Sequence, residues 1–310
     1  MLYVVWGSTY LGIAYAVETI PPFLMAALRF IPAGILLAGV VAVHDRATIR
    51  RPSIRELRDA TIVGAFLMLG GMGMVALGER TIPSGIAALL IGLMPAWIAV
   101  FGRVLFKDRL PLLAIVGILI GIGGVGILAW PESGVAALDP FGLLALILSP
   151  ISWSLGSLYA ARRAVLPAPA LFSTGLQMIL GGLTLLAASV LAGELWTFDP
   201  AAVSRQSWLG VLYLLVVGSL VGYTTYAWLL SVAPLSRIAT YAYVNPVVAV
   251  FLGWVFLAEP VTLRTVVASV VIVVAVALIV TARGREAGRD SDLEARSEVE
   301  PVIDGASGAR

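Results

Sequence analysis

Apolar residues collect in ten runs separated by short polar breaks. The runs cover roughly 1–16, 22–43, 60–79, 83–106, 110–130, 140–161, 170–193, 208–231, 235–257 and 262–282. Apolar runs of about 20 residues cross a bilayer as helices. The weaker alternation of a membrane β-barrel is absent. Short breaks make successive helices antiparallel neighbours. The first run is short for a span, so the sequence predicts a natural start upstream of Met1. No signal peptide is expected, since Met1 leads into apolar sequence without a basic stretch.

The pattern also repeats. Residues 83–111 read PSGIAALLIGLMPAWIAVFGRVLFKDRLP, and residues 234–262 read PLSRIATYAYVNPVVAVFLGWVFLAEPVT. A shift of 151 positions lays Pro83 on Pro234, Ala88 on Ala239, Pro95 on Pro246, Gly102 on Gly253 and Asp108 on Glu259. Weaker echoes lay Arg29-Phe30 on Gln177-Met178 and Trp6 on Trp153. Each half then holds five spans, and five is odd, so the halves enter the membrane from opposite sides. The predicted fold is an all-α integral membrane protein with ten transmembrane helices in two inverted five-helix repeats. The expected units are 1–131 and 139–282, followed by a polar tail, 283–310, read as disordered. Inverted repeats with interrupted helices at matching places point to a transporter's binding site.

Composition narrows the chemistry. The chain is 60% hydrophobic and 12% charged, with mean hydropathy +1.01; a soluble domain carries about 25% charged residues. There is no cysteine and a single histidine, His44. That excludes thiol nucleophiles and iron–sulfur clusters, and no carboxylate cluster inside a span offers a metal site. No cofactor is expected. The net charge of +2 argues nothing for nucleic acid; the expected partners are the lipid bilayer and a small-molecule substrate. The oligomeric state is left open. Lys and Arg concentrate at 46–58, 103–109, 162–163, Arg237 and the tail, which puts these loops and both termini in the cytoplasm. Glu18, Glu79, Glu132, Asp139, Glu194, Asp199 and Glu259 fall on the other side.

Trp6-Gly7-Ser8-Thr9-Tyr10, Arg29-Phe30 and the paired Pro95…Asp108 and Pro246…Glu259 arrangements, set in ten spans, resemble the EamA-type members of the drug/metabolite transporter superfamily. The resemblance covers nearly the whole chain to Ala282. It implies secondary transport of small metabolites, often amino acids or related compounds and often export, through a cavity between the halves of a cell-membrane protein. It does not imply a substrate.

Several residues could carry that chemistry. Arg29 lies about two turns inside the second span. A charge at that depth costs on the order of 2.5–3.5 kcal/mol unless it faces the interior or a cavity. Its fork suits a substrate carboxylate, a gating ion pair with Glu18 or Glu79, or a structural pair. Tyr241 and Asn245 share a helix face beside Pro246, and Met94 beside Pro95 takes the mirrored place. They could bond a substrate or another helix. Trp6 and Tyr10 share a face of the first span, with Trp153 at the matching place of the sixth. They could stack on a substrate or pack within the bundle. Pro95 and Pro246 are expected to kink their helices and leave the carbonyls of Ile91 and Ala242 without helical partners. Asp108 and Glu259, at opposite ends of the membrane, are candidate gate contacts or caps of the next helix. Gly117 and Gly121 read as a packing face. No carboxylate lies at mid-membrane, so proton coupling, exchange and facilitated diffusion all stay open. A channel or lipid translocase on the same scaffold is the rival reading. An integral-membrane enzyme lacks its usual metal, cysteine or in-span histidine equipment.

Overall fold

The computed structural model of the chain describes residues 2–45, 49–130, 138–232 and 241–307. Among these residues there is no strand. Eight helices are long and apolar enough to cross a membrane, and two shorter apolar ones complete a set of ten. They are α1 (Leu2–Val17), α2 (Pro22–His44), α3 (Ile54–Gly78), α4 (Ser84–Phe106), α5 (Leu112–Ala129), α6 (Pro140–Arg162), α7 (Ala170–Leu191), α8 (Arg205–Thr225), α9 (Tyr241–Leu257) and α10 (Leu263–Ser307).

Hydrogen bonds tie the helix ends into two groups. On one face the Asp59 carboxylate accepts from Tyr159 Oη and the Val165 amide at 3.0 and 2.9 Å, and Arg162 meets Asp108 at 3.1 Å. On the other, Thr81 donates to Asp139 at 2.9 Å, and Glu194 accepts from the Leu24 amide at 2.8 Å. There too, Arg264 donates to the Trp130 carbonyl at 2.6 Å and Thr19 donates to Ser207 at 2.8 Å. We call these the basic and acidic faces. Successive helices therefore alternate in direction. The first helix of the first half starts at the basic face and the first helix of the second half at the acidic face, so the two halves are inverted.

In lipid, helices associate through close packing at small residues rather than through burial from water. Gly34 of α2 lies against Gly175 of α7, where an added Cβ would come within 2.6 Å of the Gly175 carbonyl. Gly117 and Gly121 are buried against Ile279 of α10 and Leu93 of α4, as a packing face requires. Exposed Leu119, Ile122, Phe251 and Trp254 point to the hydrocarbon.

Two boundaries differ from the sequence reading. The third helix begins at Ile54, six residues before the expected start. Ser53 and Glu56 form a reciprocal capping box there, and Arg50 pairs with Glu56 at 2.6 Å. Asp59, placed by sequence in a polar loop, is thereby buried inside the helix. The last helix continues to Ser307, so the backbone of 283–307 is helical instead of irregular. That segment is rich in Ala, Glu and Arg, which favour helix at little entropic cost.

Candidate functional site

The two repeated segments end alike. Lys107 closes α4 with φ 60° and Ala258 closes α9 with φ 52°, the only non-glycine residues with positive φ among those described. They are 151 positions apart. After each, the next amide bonds back to a glycine carbonyl six residues earlier: Asp108 to Gly102 at 3.2 Å and Glu259 to Gly253 at 3.1 Å. A left-handed residue at a helix C-terminus normally calls for glycine. Here the glycine lies a turn and a half earlier, under the carboxylate: an added Cβ at Gly102 would sit 2.8 Å from Asp108 Oδ2, and Gly253 meets Glu259 in the same way.

The third span of each half is locally widened by the same device. Ala65–Gly73 in α3 and Leu214–Val221 in α8 are π-helical, a form that recurs at functional sites. Each opens room for a tryptophan from the other half. Trp153 lies over Gly71, where a Cβ would be 2.7 Å from its ring, and Trp6 lies over Gly222 at 2.5 Å. These glycines are again 151 positions apart.

The matched prolines behave differently. α4 is broken outright: one segment ends at Gly92 and a second starts at Met94, with Pro95 in its first turn, where proline lacks nothing. The Leu93 amide closes the first segment on the Leu90 carbonyl at 3.3 Å, and Pro95 has no amide to offer the Ile91 carbonyl. α9 runs through Pro246 as one helix. The two matched prolines thus sit differently, one at a break and one inside a continuous helix. Proline tolerates a helix start, and in α9 Gly7 of α1 packs close beside the proline turn, near Val248 and the Asn245 carbonyl. The side chains of Tyr241 and Ala242 lie outside the described residues.

These interruptions surround one cavity of about 90 Å³, lined by Trp6, Thr9, Tyr10, Arg29, Met72, Ala88, Ile91, Gly92, Met94, Pro95, Trp153, Tyr223, Asn245 and Pro246. Eight of the candidate residues named from the sequence are therefore neighbours here: Trp6, Tyr10, Arg29, Met94, Pro95, Trp153, Asn245 and Pro246. Arg29 is 3% exposed. Its Nε donates to Ser219 Oγ at 2.9 Å inside the π segment of α8, and its guanidinium lies 4.6 Å from the Phe30 ring centre. It forms no ion pair with Glu18 or Glu79, one of the alternatives its position allowed. One edge of the fork is thus fixed on α8, and Arg29 lines the cavity beside Tyr223. Trp6 meets Tyr223 edge-on at 6.0 Å, and Ser154 donates to the Met94 carbonyl at 3.3 Å. The walls are aromatic and apolar with a few polar groups, the usual make-up of a small-molecule site.

Asp108 and Glu259 stand outside this cavity. Glu259 Oε1 accepts from the Ser84 amide at 2.6 Å and Oε2 from the Gly85 amide at 3.1 Å. It caps α4, not the helix that follows it. Gly85 packs on Val250 of α9, so α4 and α9 touch directly at the acidic face. The Asp108 side chain, 23% exposed, pairs with Arg162, itself 48% exposed.

Sequence reasoning does not single out Tyr223, Thr9 or Met72 as lining residues. Tyr223 follows Gly222, the partner by repeat of Gly71, and that correspondence is the signal available.

Ten apolar helices in two inverted halves around one cavity make this a multi-pass membrane protein. Residues 1–130 and 140–281 match the EamA-like transporter family, and the chain belongs to it. It is 37% identical over 253 residues to the uncharacterized inner membrane transporter YedA of Escherichia coli K12, covering 81% of this chain and 79% of that one. It is 28% identical over 259 residues to the protein PecM of Dickeya dadantii, covering 82% of each. A solved crystal structure aligns with TM-score 0.62 over 92% of this chain and 96% of the other, at 20% identity, a likeness of fold alone.

Proposed function

We propose that the protein is a secondary transporter that moves a small organic metabolite by alternating access. Its two units, 1–131 and 139–282, rock about the cavity at their shared middle. The observation that carries this reading is Arg29: a buried cation with one edge tied to Ser219 and the other toward a cavity walled by Trp6, Trp153 and Tyr10. That arrangement suits a carboxylate on a molecule with an apolar or aromatic body, such as an amino acid or a related compound, with Asn245 beside its polar end. A cavity of about 90 Å³ is smaller than the roughly 300–1,000 Å³ of ligand pockets. Binding then requires the halves to part. Contact of α4 with α9 at the acidic face supports parting at the basic face in this state. The distribution of Lys and Arg supports a cytoplasmic basic face with both termini inside, in a cell membrane. The resemblance to EamA-type transporters supports export.

A thermal-shift screen of the purified protein against amino acids and nucleosides identifies a ligand, and proteoliposome uptake then tests transport. Saturable uptake is expected, and Arg29→Ala should reduce it by more than about tenfold while the protein still inserts and purifies as a folded species. Unsaturable flux or single-channel current would put a channel in place of the transporter. Normal uptake by Arg29→Ala would remove Arg29 from the site.

A further inference from the structure

The acidic end of the α4–α9 contact holds a group that the cavity does not use. Glu79 is the first residue past α3. It is 8% exposed, and both of its carboxylate oxygens are buried without a hydrogen-bond partner. The other buried carboxylates are provided for: Glu56 by Ser53 and Arg50, Asp59 by Arg58, Tyr159 and the Val165 amide. Nearby, the Ser84 hydroxyl is also buried without a partner, while its amide holds Glu259. An ionised carboxylate left so is far costlier to bury than a neutral acid.

The charges around Glu79 do not relieve it. Burial first, and then the Glu259 carboxylate facing it, push its pKa well above the ordinary carboxylate range. From α6, Asp139 is taken up by Thr81 and the Gly142 amide. From α2, Arg29 is tied to Ser219. At the end of α1, Glu18 is exposed, and so is Arg80, next to Glu79 in the chain. Glu79, buried and without donors, thus lies within electrostatic reach of Glu259, which is half-buried and has two amide donors. Like charges in such a site cannot both ionise cheaply.

We propose that Glu79 is a proton-binding site, and that the proton it carries lets Glu259 hold the acidic face shut. With Glu79 neutral, Glu259 keeps its negative charge on the Ser84 and Gly85 amides at the start of α4, where helix dipole and donors favour it. When the proton leaves, the second charge repels Glu259 from those amides, and α4 separates from α9. The closed state holds a proton that the open state gives up, so closure is complete below the Glu79 pKa and is lost as pH rises through it. This deepens the alternating-access reading and rests on the α4–α9 contact being its acidic-face gate.

The chain has no cysteine, so a single reporter can be placed in it. Ile82→Cys puts a thiol at a position 2% exposed beside the corner. Its labelling by an impermeant maleimide is followed in the full chain in vesicles as pH is raised. Thiol ionisation itself speeds labelling with pH, so the reference is the same reporter with Glu79→Gln. The reporter in otherwise unchanged protein should gain at least about tenfold more between about pH 5 and 8 than the Glu79→Gln form does. Glu79→Gln should stay protected throughout, and Glu259→Gln should label fast at every pH. Equal pH profiles in the Glu79→Gln form and in the protein that keeps Glu79 overturn the proposal, as does protection that follows sodium concentration and not pH. Because no substrate is used, a failure here leaves the transport reading to its own uptake test.

Discussion

Residues 83–111 and 234–262 are two editions of one segment, and they have been put to different use. Their ends are built identically, with a left-handed residue, a back-bonded amide and a carboxylate folded over a glycine. Yet Glu259 reaches across to the opposite half and caps α4, whereas Asp108 stays at the surface with Arg162. One segment is broken at Leu93 and the other is continuous through Pro246. Since the local geometry is shared, the difference lies in the partners each carboxylate finds. Under the proposed alternating access, one carboxylate capping the opposite half and its counterpart in a surface ion pair is the pattern expected of a single shut gate.

The largest test of that contrast removes the engaged carboxylate. Glu259→Ala loses two charge-assisted bonds to a helix N-terminus, about 2 kcal/mol, or roughly thirtyfold in the equilibrium between closed and open acidic face. Labelling of a cysteine placed at Ile82 should rise accordingly; unchanged protection would mean that Glu259 does not hold the gate. Next come the two glycines under the tryptophans. Gly222→Val and Gly71→Val each force a Cβ into an indole ring and should lower uptake severalfold, with similar losses in both. A loss confined to one would show that the aromatic walls of the cavity are not equivalent. Pro246→Ala should alter turnover more than substrate affinity, by about threefold, if α9 bends as the proposed rocking closes the basic face. Unchanged turnover would count against a moving helix.

Much of this is legible in the sequence because lipid leaves few choices. Ten apolar runs and a 151-residue echo suffice for ten helices in inverted halves, since backbone groups in hydrocarbon must bond within a helix. Arg29, Trp6 and Trp153 stand out because they are costly or unusually deep, and the structure brings them to one cavity. What is not legible depends on contacts between distant segments. The start of α3 is moved by the Ser53–Glu56 box and by Asp59 finding Tyr159, a partner 100 positions away. The same is true of Glu259. Its spacing suggests a cap on the next helix, and it caps one that begins 175 positions earlier. Nothing in residues 234–262 reports on Ser84.

The smallest expected effect on stability comes from the substitution that separates a gate from a surface pair. Asp108 and Arg162 are partly exposed, and such pairs contribute at most about 1 kcal/mol. Asp108→Asn should therefore shift the melting temperature of the purified protein little while the acidic face is shut. If the two carboxylates exchange roles as the halves rock, Asp108 acquires its donors only when the basic face closes. Its substitution should then slow uptake about as much as Glu259→Ala does, with the defect in the return step and not in substrate affinity. An Asp108→Asn protein with normal turnover would confine the gate to the acidic face and make the repeat symmetric in build alone.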